Sequence, residues 1–181
     1  MIAVVPYDSR WPALFEAEAT LIRDRLGELA LRVEHVGSTA VPGLPAKAVI
    51  DIQVSVASLG PMSSYLEVLA HIGYGHVPLG DFDSVYPFFR KPCEGSSTHH
   101  VHICITGSEQ ERNHLAFRDF LRSHPPVAEQ YVALKRQLAT LHHGATLESQ
   151  ERYSLSKSEF VASVLARAYS DGYPSVQRDA A

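Results

Sequence analysis

The chain predicts an α+β fold: a mixed β-sheet flanked by helices, with further helices toward the C-terminal end. Three observations carry this. Short, valine- and isoleucine-rich segments that alternate apolar with polar residues fall within the first 107 positions. Helical periodicity brackets them, and the last third of the chain is helical throughout. Among 181 residues, 45% are hydrophobic and 20% charged, which suits one globular unit and not a disordered chain. Residues 1–170 are therefore expected to form a single domain, followed by a polar tail over 171–181.

The elements follow in order. Residues 11–29 read as a helix, with Ser9 as a cap, Pro12 in the first turn and Leu14, Ala17, Leu21 and Leu26 at near-helical intervals. Residues 31–37 read as a strand ending at Gly37. Along "AVIDIQVSV", Asp51, Gln53 and Ser55 point one way while Ile50, Ile52, Val54 and Val56 point the other. A helix over 61–74 closes at Gly73, the aromatic "VYPFFRKP" is β-prone, and "HHVHICITG" alternates again. In that strand His100, His102 and Cys104 share one face, opposite Val101, Ile103 and Ile105. Ser108 with Glu111 forms a capping-box signature for the next helix. A second helix restarts after Pro125 and Pro126, a linker spans 142–149, and a last amphipathic helix follows.

The net charge of −4 argues against a general nucleic-acid or anionic-membrane binder, which usually carries a basic surplus, and leaves room for a local basic pocket. Cys93 and Cys104 have no knuckle or framework spacing and read as reduced thiols. The N-terminal stretch lacks a basic leader followed by an apolar core, and no apolar run approaches the roughly 20 residues that span a bilayer. A cytoplasmic location is expected.

Three constellations bear chemistry. The Gly37-Ser38-Thr39 turn after a strand can leave backbone N–H groups open to an anion, or can simply join two strands. It has neither P-loop nor dinucleotide spacing. Asp51, costly to desolvate and a poor strand former, reads either as a solvent-facing residue of an edge strand or as an oxygen ligand for Mg²⁺ beside a phosphate. Lys47 stands four residues before it, where it can balance charge on the same ligand or simply be solvated. His100 and His102, at i and i+2 on a strand, can present two imidazoles to one metal, or form a half-exposed polar face. A closed zinc site would need more ligands, from Asp51, Glu34, His35 or Cys104. Arg90, Lys91, Arg118 and Lys157 flank these strands and read mostly as solvated surface charges, though Lys157, one turn beyond Tyr153, can share a ligand with it; Phe88, Phe89, Phe117 and Phe120 read as core.

The segments "YDSRWPALFEAE", "EHVGSTAVPGLPAKAVIDIQV", "FFRKP", "THHVHIC", "HLAFRDFLRSHP" and "YSLSKSEFV" resemble, in order and over nearly the whole chain, the GrpB family of the nucleotidyltransferase superfamily. The resemblance implies a sheet of polymerase β-like fold whose Gly-Ser pair holds nucleotide phosphates and whose next strand carries metal-binding carboxylates. By position Gly37 and Ser38 match the phosphate pair, and Asp51 matches the first, catalytic carboxylate. Gln53 stands where the second carboxylate belongs, His100 and His102 occupy the later strand, and Ala48 replaces a proline after the lysine. The expected phosphate and nucleotide set is Gly37, Ser38, Thr39, Lys47 and Arg90, and the expected metal set is Asp51, His100 and His102. The implied function is binding of a nucleotide or phosphorylated metabolite with a divalent metal, Mg²⁺, and transfer of a nucleotidyl group to an acceptor. The alternative is a non-catalytic ligand-binding or accessory module with a protein partner, since the family also occurs fused to dephospho-coenzyme A kinase.

Overall fold

The computed structural model describes residues 3–141, 152 and 155–174. Helix α1 (Trp11–Leu26) leads into strand β1 (Arg32–Val36), and a 3-10 turn over Ser38–Ala40 precedes β2 (Ile50–Val56). Helix α2 (Ser63–Ala70), the two-residue β3 (Gly75–His76), β4 (Phe88–Lys91) and β5 (His99–Ile105) follow. Helices α3 (Glu109–Ser123), α4 (Pro125–Leu141) and α5 (Ser158–Ser170) complete the described chain.

The five strands form one mixed sheet in the order β1-β2-β5-β4-β3. Strands β2 and β5 run parallel at its centre, and the other neighbours are antiparallel. Strict alternation divides the sheet into two unlike faces. Ile50, Ile52, Val54, Val101, Ile103 and Phe89 bury one face against α1 and α2 in a core that includes Trp11, Phe15, Ile22 and Leu69. The opposite face carries Glu34, Asp51, Gln53, Ser55, His100 and His102, and α3 packs over it. A second apolar cluster joins α3, α4 and α5 to Val41 and Leu44.

Helix α1 turns a different side inward from the one its leucines mark. Leu14 and Leu21 are 47% and 42% exposed, while Trp11, Phe15, Ala19, Ile22 and Leu26 are buried. Both stripes have helical spacing, and the one with two aromatic rings removes more apolar area from water. Ser9 is not the cap; the Asp8 carboxylate accepts from the Arg10 backbone N–H and the Asp8 carbonyl from that of Trp11. Strand β3 has too few residues to show a period. At the chain's described end, Tyr173 packs edge-on against Phe120 and donates its N–H to Ala168, so the turn after α5 belongs to the second core. The expected linker over 142–149 and Tyr153 lie outside the described residues. Cys93 and Cys104 are both free thiols, and no described helix is long and apolar enough to cross a membrane.

Candidate functional site

The parallel register of β2 and β5 sets Asp51 beside His100 and Gln53 beside His102 on one face. Asp51 is thus an interior-strand residue paired on both sides, not an edge residue. His100 Nδ1 donates to Asp51 Oδ1 at 3.1 Å, and His102 Nε2 lies 3.7 Å from the same oxygen. Burial alone would raise the Asp51 carboxyl, but the two imidazoles outweigh it and hold the group well below the usual carboxylate range.

The Gly37-Ser38-Thr39 turn closes over this cluster. Gly37 has φ +70°, and a Cβ there would sit 2.4 Å from Asp51 Oδ2, so the position needs glycine for conformation and for space. Two arginines of α3 fix the turn: Arg118 donates to the His35 carbonyl, and Arg122 donates twice to that of Ala40. Arg118 also pairs with Glu34 and Asp119, so it holds the scaffold and does not face a ligand. Thr39 borders the cavity, yet its hydroxyl is committed, accepting from His35 Nε2 and donating to the Val49 carbonyl. His35 itself stacks on Phe15 in the core behind the sheet, and burial pushes it down to about 4.

A cavity of about 310 Å³ opens from these residues. Gly37, Ser38, Thr39, Lys47, Asp51, His100 and His102 all line it, together with Phe88 and Phe117, which were expected in the core. Arg90 does not line it. It shares a face with His100, but its guanidinium turns to the carbonyls of Pro92 and Gly95 in the β4–β5 connection.

Three lysines wall the cavity: Lys47, Lys135 of α4 and Lys157 just before α5. Lys135 is 3% exposed and donates to Ser38 Oγ at 3.2 Å and to the Pro45 carbonyl at 2.6 Å, above the Tyr131 ring. Among the described residues no carboxylate forms an ion pair with it. Burial, with the charges of Lys157 and Arg136, pushes its amine down to about 7. Burial and Lys47 bring Lys157 down to about 8, and burial lowers Lys47 too. Lys135 was legible in principle: it falls in the stripe Val127, Tyr131, Leu138 that α4 buries, where a lysine is out of place.

Gln53 is wholly buried and lies outside the cavity lining. Its Oε1 accepts from His114 Nδ1 at 2.8 Å, and its amide nitrogen faces Ser55 Oγ. His114 Nε2 in turn accepts from the Tyr86 hydroxyl, and burial followed by the His102 charge pushes His114 down to about 3. Sequence reading missed His114, one of the polar residues by which α3 meets the polar sheet face. Beyond Ser55 the chain of bonds ends on Glu111, which also takes Arg32 and the Gly107 N–H. Glu111 thus does more than a capping-box residue. A larger groove of about 740 Å³, lined by residues 41–45, α3 and α4, is mainly apolar and holds none of the Asp51 cluster.

The sheet, its flanking helices and a carboxylate-bearing β2 beside a Gly-Ser turn define a nucleotidyltransferase-like fold. The poly(U) polymerase Cid1 bound to MgATP superposes on 78% of this chain and 46% of its own, with TM-score 0.53 and 13% identity. Within that fold, a family model described as GrpB protein matches residues 1–167, and the chain belongs to the GrpB family. The crystal structure of the conserved protein GrpB from Enterococcus faecalis matches with TM-score 0.80 and 35% identity over 93% of this chain and 98% of that one. A UPF0157 protein of Halalkalibacterium halodurans is 36% identical over 92% of this chain and 82% of its own length. The chain spans 45% of the UPF0157 protein YqkA of Bacillus subtilis at 31% identity, and 39% of a dephospho-CoA kinase of Mycolicibacterium paratuberculosis at 33%.

Proposed function

We propose that the cavity binds a phosphorylated small molecule, in the first instance a nucleotide, beside a divalent cation on Asp51, His100 and His102. The observation that carries this reading is Lys135. A buried ammonium without a carboxylate partner is costly unless an anion completes it. Lys47 and Lys157 face the same space, and a phosphate held by Ser38 and the three amines would supply the missing charge. The size of the cavity, at the low end of ligand sites, suits a phosphate with a compact attached group.

The test is a thermal-shift and calorimetric screen of nucleoside mono-, di- and triphosphates, sugar phosphates and pyrophosphate, with Lys135→Met as control. A phosphorylated ligand raises the melting temperature of the wild type and fails to do so in the variant, because only native-state binding stabilises. No shift with any phosphorylated compound sinks the proposal.

Nucleotidyl transfer is the second reading, favoured by the fold and by the place of Asp51 on β2. Gln53 weighs against it, because two-metal in-line transfer relies on paired carboxylates and the Gln53 amide is already spent on His114. Release of pyrophosphate from a nucleoside triphosphate, lost in Asp51→Ala, would establish transfer. Ligand binding without release fixes the function as recognition.

A further inference from the structure

The fold implies Mg²⁺, and the donors on these strands do not suit it. Mg²⁺ takes oxygen ligands in a near-octahedral shell and is usually held by one or two carboxylates with phosphates. Among the described residues only Asp51 offers a carboxylate at the cavity; Glu34 is paired with Arg118, and Gln53 is buried beneath the site. The other two donors are imidazole nitrogens, which select late first-row cations over Mg²⁺.

The histidines themselves point to a missing partner. Among the described residues His102 makes no hydrogen bond: its buried Nδ1 has no partner, and its Nε2 lies 3.7 Å from Asp51 Oδ1, too far for one. Its ring is nevertheless fixed, stacked on both Tyr86 and Phe88. The structure therefore holds an imidazole in place with its Nε2 aimed at a carboxylate it does not touch. Asp51, His100 and His102 each offer one ligand atom, a carboxylate oxygen or a ring nitrogen, and these three atoms all lie within 4.8 Å of one another. Donors at roughly 2.0–2.1 Å from one four-coordinate ion stand about 3.3 Å apart, so the 3.1 Å and 3.7 Å separations match without backbone movement. Glu34, His35 and Cys104 take no part: His35 stacks on Phe15, and the Cys104 sulfur lies against the Val54 carbonyl.

Building on the phosphate-pocket reading, we propose that Asp51, His100 and His102 form an open two-histidine, one-carboxylate site for a transition-metal dication, with Zn²⁺ as the reference ion. Three protein ligands leave at least one position facing the cavity, where a phosphate oxygen or water completes the shell. The nearby lysines raise the cost of a bare dication, and the phosphate offsets that cost. Metal and phosphate are therefore expected to bind cooperatively.

The experiment titrates chelator-treated protein with ZnCl₂ and with MgCl₂ by calorimetry, with and without pyrophosphate. One Zn²⁺ per chain is expected, at least about 100-fold tighter than Mg²⁺. His100→Ala and His102→Ala should each weaken Zn²⁺ by about tenfold or more, checked for folding by circular dichroism. In wild-type protein, Zn²⁺ should shift the ¹⁵N resonances of His100 Nδ1 and His102 Nε2, a readout that survives if a variant fails to fold. Equal affinity for Mg²⁺ and Zn²⁺, or Zn²⁺ binding that leaves both nitrogens unmoved, overturns the inference. Phosphate binding without Zn²⁺ preference would remove the metal assignment and keep the pocket. Zn²⁺ binding at both nitrogens without any phosphate ligand would keep the site and remove the pocket.

Discussion

Replacing Lys135 with methionine tests whether the amine is truly buried without a counter-charge. The side chain is 3% exposed, and its amine is pushed down to about 7 from an ordinary value near 10.5. Between these values the unfolded chain carries a proton that the folded chain lacks, so unfolding free energy rises with pH. The gain is complete above about pH 10.5 and gone below about 7. The full span is at most about 5 kcal/mol at 1.36 kcal/mol per unit, and about 2–3 kcal/mol of it falls between pH 6 and 9. Lys135→Met keeps the length of the side chain, removes this slope and leaves the Pro45 carbonyl unpaired at a cost of about 1–3 kcal/mol that does not vary with pH. Urea denaturation of ligand-free wild type and variant at pH 6, 7, 8 and 9 reads the difference. The wild-type curve should climb about 2 kcal/mol more steeply over that range. Parallel curves would show that Lys135 is not a desolvated amine and would remove the main support for an anion site.

Other perturbations separate scaffold from site. Gly37→Ala forces a side chain into a φ of +70° and onto the Asp51 carboxylate, and should cost about 1–3 kcal/mol by denaturant titration. Glu111→Ala strips a buried carboxylate from Arg32, Ser55 and the Gly107 N–H, and should cost about 3–5 kcal/mol, with Glu111→Gln losing less. Gln53→Leu leaves His114 Nδ1 without its acceptor at a cost of about 1–3 kcal/mol. Because Gln53 does not line the cavity, calorimetry should find phosphate affinity within a few-fold of wild type; a large loss would return Gln53 to the site.

The polar half of the sheet explains how these effects stay distinct. Arg32–Glu111–Ser55–Gln53–His114–Tyr86 runs as a satisfied network under α3, whereas Asp51, His100, His102 and the three lysines line the cavity. A buried network completed within the protein resists substitution through desolvation. A cluster that lines a cavity shows its energetics when a ligand is supplied.

The sequence by itself determined the α+β class, the alternation of β2 and β5, and hence that Asp51, His100 and His102 each belong to a polar sheet face. Side-chain alternation is a local property of extended backbone, so single strands reveal it. The resemblance to the GrpB family marked the Gly-Ser turn and Asp51, and both line the cavity. Only the tertiary structure decided which polar residues meet. Gln53 sits two positions from Asp51 on the same face, yet α3 covers one and leaves the other open, because His114 and Glu111 of α3 reach the later part of β2. Likewise Arg90 shares the face of His100 but spends its charge on its own turn, while Lys135, 97 residues from Ser38, arrives at its hydroxyl from α4. Such pairings depend on how helices pack across the sheet, which no local pattern encodes. For that reason the burial of Lys135 could be read from its stripe on α4, whereas its place at Ser38 with no carboxylate partner among the described residues took the fold to show.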